Sequence, residues 1–125
     1  MYDLIDRPVA ELPAADLRLL RATRTWVHQL TVAGEATPAA AESLGRGSDA
    51  FDKAMRVLDE GSSETLVFER PCHSTVSEVE ALWLAAWRLV RLDRVGAARA
   101  ALGGLVDAHA VAAVLGPMMR AAARG

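Results

Sequence analysis

The segment "EVEALWLAAWRLVRLD", residues 78–93, constrains this chain more than any other. At 100° per residue its apolar side chains do not gather into one stripe. Val79, Leu82, Trp83, Ala86, Leu89 and Val90 take one side, and Leu84, Trp87 and Leu92 cover most of the rest. Only Glu80, Arg88 and Arg91 form a narrow polar strip. A helix this apolar has to be surrounded, by neighbouring helices or by a partner chain. The expected fold is therefore an all-α bundle with residues 78–93 as its central member. The start of that helix is also marked. Ser77 stands three residues before Glu80, a capping-box pattern whose serine is worth about 1 kcal/mol, and Val76 and Ala81 can form a weak hydrophobic staple.

The rest of the chain supplies about four further helices. Pro13 suits a first-turn position, and from Ala14 to about Val32 the residues Leu19, Leu20, Trp26, Val27 and Leu30 fall on one side. Arg18, Arg21, Arg24 and His28 gather on the other. Gly34 is the expected stop. "TPAAAESL" restarts the pattern with Thr37 as N-cap and Pro38 at the first helical position, and Gly45 and Gly47 interrupt it. Ser48 or Asp49 can cap a helix through Glu60, with Phe51, Ala54, Met55 and Leu58 on its core face, and "EGSSE" closes it. "TLVFERPC" reads instead as a short extended linker near residues 65–70: Val67 and Phe68 favour extended backbone and Pro71 pushes Arg70 out of the helical region. A short alanine-rich helix around Val95 to Leu102 should end at Gly103 and Gly104, and Asp107 can cap a last one that Pro117 kinks or restarts. These elements make one domain, residues 1–125.

Composition removes several function classes. Fourteen basic against sixteen acidic residues leave no whole-chain electrostatic footprint for nucleic acid. No apolar run approaches the roughly 20 residues of a membrane helix, since Arg88 and Arg91 break the best one. A single cysteine cannot form an internal disulfide and "MYDLIDRP" lacks the order of a signal peptide, so the cytoplasm is expected. Thirteen arginines to one lysine, Lys53, suggest a GC-rich bacterial genome.

Chemistry concentrates at one place. "ERPCHSTVSE" puts Cys72 beside His73 and a few residues before a helix N-terminus, where partial positive charge favours a thiolate. Against this, neighbours along an extended chain point to opposite sides, and a nucleophile needs a base within hydrogen-bond reach. The simpler reading is a small thiol packed where the linker meets the bundle. Cys72, His73, His28 and His109 lack the spacing of a metal site, and no cofactor motif occurs. Arg18, Arg21 and Arg24 could grip phosphates or an acidic partner, or simply form a solvated face. Trp83 reads as core. Trp87, nearer the polar strip, reads as partly exposed, in cation–π contact with Arg91 and available to a partner.

Pro71, Cys72 and His73, followed by Val76, Ser77, Glu80 and Leu82, resemble a motif of small all-helical alphaproteobacterial proteins with no assigned activity. Those proteins share a leucine- and arginine-bearing first helix, a middle helix, a short apolar extended run and a Thr-x-x-Glu helix start. The resemblance implies a helical fold. Where that family carries a second cysteine this chain has His73, which departs from any paired-thiol chemistry.

The leading expectation is a non-enzymatic interaction or regulatory domain that self-associates as a homodimer or binds a protein partner, because apolar surface around the central and last helices exceeds what a small bundle covers. A Cys72-dependent thiol enzyme or redox protein is one alternative. A weak nucleic-acid binder using Arg18, Arg21 and Arg24 is the other.

Overall fold

A computed structural model describes residues 4–62, 66 and 68–124. Five α-helices follow in order: α1 (Ala14–Ala33), α2 (Ser48–Gly61), α3 (Glu78–Arg91), α4 (Val95–Leu102) and α5 (Val111–Arg124). Three 3₁₀ segments, Val9–Glu11, Pro38–Gly47 and Ala108–Ala110, link them. There is no β-strand among the described residues, only one isolated antiparallel bridge between Pro8 and Thr75.

The helices close on one hydrophobic core. Leu19, Leu20, Ala22 and Trp26 enter it from α1, and Phe51, Ala54, Met55 and Leu58 from α2. Ala98 and Leu102 come from α4, and Val111, Val114, Leu115 and Met118 from α5. Each large side chain so buried is worth roughly 1.5–3 kcal/mol. In α3, Ala81, Trp83, Leu84, Ala86, Trp87 and Val90 are buried, so the helix is enclosed over most of its girth, as its sequence requires. Enclosure stops on one face. Leu82, Ala85 and Leu89 are half-buried, and Leu92 is 65 % exposed.

Several helix ends differ from expectation. The capping box of α3 forms in full: the Glu80 N–H donates to Ser77 Oγ at 3.2 Å, and the Ser77 N–H to Glu80 Oε1 at 3.0 Å. Thr37, Ser48, Asp49 and Asp107 cap nothing with their side chains. Gly47 is the N-cap of α2, which grows straight out of the preceding 3₁₀ segment. The Ser48 N–H already donates to the Gly45 carbonyl, so the first turn has a backbone partner and needs less from a cap. "TPAAAESL" forms 3₁₀ rather than α-helix, broken at Ala41 and at Gly45, whose φ of 61° is a left-handed value that suits glycine. α5 runs through Pro117 without interruption by its backbone assignment, whereas a restart was one of the expected outcomes.

The extended linker carries more structure than its sequence announces. Thr65 and Val67 lie outside the described residues, as do Ser63 and Glu64 of "EGSSE" and Met1 to Asp3 of the opening segment. From Ser74 to Val76 the chain pairs with residues 6–9. Val9 N–H donates to Ser74 O at 2.8 Å, Asp6 N–H to Val76 O at 2.9 Å, and Val76 N–H to Arg7 O at 3.0 Å. Alternate carbonyls of an extended chain face opposite ways. Those of residues 74 and 76 are thus used on one side, and those of 73 and 75 are left for whatever lies on the other.

Candidate functional site

The other side is occupied by Arg24. Its Nη1 donates to His73 O at 2.7 Å and its Nη2 to Thr75 O at 2.8 Å. Nε and Nη2 also grip Glu80 as a bidentate pair, at 2.8 Å to each carboxylate oxygen. Both side chains are sealed from solvent, at 1 % and 0 % exposure. Glu80 accepts two more hydrogen bonds, from the backbone N–H of Ser77 and, at 3.0 Å, from that of Glu69. Burial pushes the Glu80 carboxyl up, but the Arg24 guanidinium and these backbone donors outweigh burial and hold it below the ordinary carboxylate range. One ion pair therefore fastens α1, α3 and the segment from Glu69 to Thr75 together.

This overturns the picture of Arg18, Arg21 and Arg24 as one solvated face. Arg24 is buried, Arg18 and Arg21 are exposed, and His28 is exposed further along α1. The wheel explains the difference: Arg24 falls only about 40° from Leu20 at 100° per residue, at the edge of the apolar side. Arg21 borders a groove with Cys72, His73, Leu17 and Pro8. Arg18 borders a different cavity, described below.

Cys72 is exposed, which corrects the expectation of a thiol packed into the bundle. The turn at Pro71–Cys72 lifts it away, with the His73 N–H donating to Arg70 O at 3.0 Å. The His73 ring is engaged elsewhere. Nε2 lies 3.3 Å from Thr75 Oγ1 and Nδ1 lies 3.7 Å from Glu69 Oε2. No hydrogen bond joins Cys72 Sγ to His73 among the described residues, so thiol and imidazole do not form a nucleophile–base pair. Among the described residues there is also no group of three or more His, Cys, Asp or Glu side chains able to hold a metal ion. His28 and His109 are exposed on α1 and in the 3₁₀ segment before α5.

Trp87 is the second correction. It is 2 % exposed rather than partly open, packed against Phe51 with ring centroids 5.8 Å apart and edge-on to Trp83 at 5.7 Å. Arg91 does not stack on it but pairs with Asp16 Oδ1 at 3.0 Å, where Arg88 Nε also reaches Oδ2 at 3.0 Å. Asp16 is 1 % exposed, and these arginines neutralise it. The three buried indoles differ in how their N–H groups are met. Trp26 donates to Asp52 Oδ1 at 2.9 Å and Trp83 to Thr23 Oγ1 at 3.1 Å, whereas Trp87 Nε1 has no partner. An unmet buried donor costs on the order of 1–3 kcal/mol.

The open face of α3 is the third feature. Leu82, Ala85, Leu89 and Leu92 run along it, and Ala100, Ala101 and Gly104 of the α4 region lie beside them, forming a groove of about 670 Å³. Gly104 permits this close approach, because a Cβ there would stand 2.9 Å from Leu82 Cδ2. Glu78, exposed at the first position of α3, falls on the same face by helical spacing.

No helix of the described residues is long and apolar enough to cross a membrane. No protein-family model matches the chain, and no curated protein and no solved structure matches it either.

Proposed function

We propose that this chain is a non-enzymatic interaction domain that pairs with a second copy of itself through the open face of α3. The supporting observation is the groove itself. Leu89 and Leu92 stand on one wall, while Ala100, Ala101 and Gly104 on the other are too short to fill the space. A two-fold interface requires a patch that complements itself. Here wall and hollow lie side by side, so a two-fold axis can set each copy's leucines against the other's alanines. An antiparallel crossing of the two α3 helices also keeps the two Glu78 carboxylates at opposite ends, and Arg88, the charged side chain that lines the groove, already pairs with Asp16. Light scattering tests the reading. The wild-type chain should reach twice its 13.3 kDa mass as concentration rises, and Leu89→Glu should stay at one mass while remaining helical. A wild-type mass that stays at one chain from micromolar to millimolar concentration would sink the proposal.

The cytoplasm is the compartment that suits an exposed, unpaired thiol, because it keeps such groups reduced. Cys72 faces the Arg21 groove without a base on its sulfur, which favours the interaction reading over a thiol enzyme. Burial of Arg24 removes one of the three arginines on which nucleic-acid binding would depend.

A further inference from the structure

We infer that charge fixes the direction of pairing at the open face of α3: Glu78 of one copy meets Arg94 of the other, at both ends of an antiparallel crossing with Ala85 on the two-fold axis. The inference rests on the self-association proposed above and adds the residues that each copy supplies to the other.

The open face carries Glu78, Leu82, Ala85, Leu89 and Leu92, spaced four, three, four and three apart, so these residues form one continuous seam. Ala85 is the midpoint of that seam and its smallest side chain, and a small residue at the contact lets two helices approach closely. Reversing one copy about Ala85 sets Leu82, which stands beside the Gly104 hollow, level with the other copy's Leu89. It also sets Glu78 level with the other copy's Leu92. The charges at the two ends are opposite and unspent. Glu78 is exposed in the first turn of α3, and Arg94 is exposed two residues beyond Leu92, as the N-cap of α4. Arg94 stands seven residues before Ala101, so helical spacing puts it on the side of α4 that borders the groove. Neither residue makes an ion pair among the described residues. Of the charges nearby, Arg88 is held by Asp16, and Asp93 borders a separate cavity against α5. Within one chain Glu78 and Arg94 are kept apart by the whole length of α3, about 21 Å, so their attraction is available only to a second copy. A parallel crossing would set Glu78 beside Glu78 and Arg94 beside Arg94, and such like-charge contacts count against it.

Charge reversal tests the inference, with the dimer dissociation constant of the full chain measured by sedimentation at low ionic strength. Both positions are exposed, so neither change disturbs the core. Glu78→Arg alone and Arg94→Glu alone should each weaken pairing, roughly tenfold for two repulsive contacts in place of two attractive ones. Glu78→Arg combined with Arg94→Glu in one chain should regain most of the wild-type affinity, an outcome that independent local effects of the two changes would not produce. In a Cys72→Ser background, Ala85→Cys should close into a disulfide-linked dimer on mild oxidation, whereas Leu92→Cys, about 20 Å from its counterpart, should not. If the wild type pairs but the single reversals have no effect, the double reversal stays as weak as they are, or Leu92→Cys links more readily than Ala85→Cys, this inference is overturned and self-association stands. A wild type that remains at one chain mass overturns both.

Discussion

Arg24 ties α1 to α3 and to the segment from His73 to Thr75. It spends four donor contacts on one carboxylate and two carbonyls, and without it the buried Glu80 charge would keep only the backbone N–H groups of Ser77 and Glu69. Removing one member of a buried pair typically costs about 3–5 kcal/mol, while replacing both by apolar groups costs far less. Arg24→Met should therefore lower unfolding free energy by about 3–5 kcal/mol in urea titration, and Arg24→Met with Glu80→Leu should recover part of that loss. A pH dependence follows from the same carboxylate. Its folded-state value is depressed, so its contribution is complete above the ordinary carboxylate value of roughly 4.3 and disappears as pH falls through the folded one. Thermal melts of the wild type should drop below that range, and Glu80→Gln should flatten part of the drop. These charges were partly legible beforehand. Asp16 and Thr23 sit within the apolar stripe of α1 by helical spacing, and a carboxylate there demands cations. Which arginines would answer it, and that Arg24 would turn inward, depends on contacts 56 to 75 residues apart in the chain, which periodicity does not encode.

At the scale of elements, the helices were legible and their ends were not. α3 was marked by apolar coverage and by a capping box, and both appear as read. Ser77→Ala should cost about 1 kcal/mol, checked by chemical denaturation. The same kind of residue at Thr37, Asp49 and Asp107 caps nothing, because a cap acts only where the backbone N–H groups lack another acceptor. Gly45 is a turn required by conformation alone. It has a φ of 61° and open space around it, so Gly45→Ala meets no steric contact and should still destabilise the fold by about 1–2 kcal/mol. The pairing of residues 6–9 with 74–76 was invisible in sequence, since neither stretch alternates apolar and polar residues. Arg24 supplies the reason it persists, by holding carbonyls 73 and 75 from the opposite side. Amide exchange at Val9 and Val76 should accordingly speed up in Arg24→Met more than exchange in α5.

For the molecule as a whole, the bundle buries most of the girth of α3 and leaves one face uncovered. The extent of the apolar pattern on residues 78–93 foretold that something must cover every side, and α1, α4 and α5, with Phe51 of α2, cover most of it. What remains is an apolar groove with Leu92 projecting at its edge, on the face where a second copy is proposed to dock. The most direct test of that docking is an isotope-filtered NOE measurement on a mixture of labelled and unlabelled chains. Methyl groups of Leu89 and Leu92 in one copy should show intermolecular contacts to those of Ala100 and Ala101 in the other. Intermolecular contacts confined to another face, or none at concentrations approaching millimolar, would contradict it.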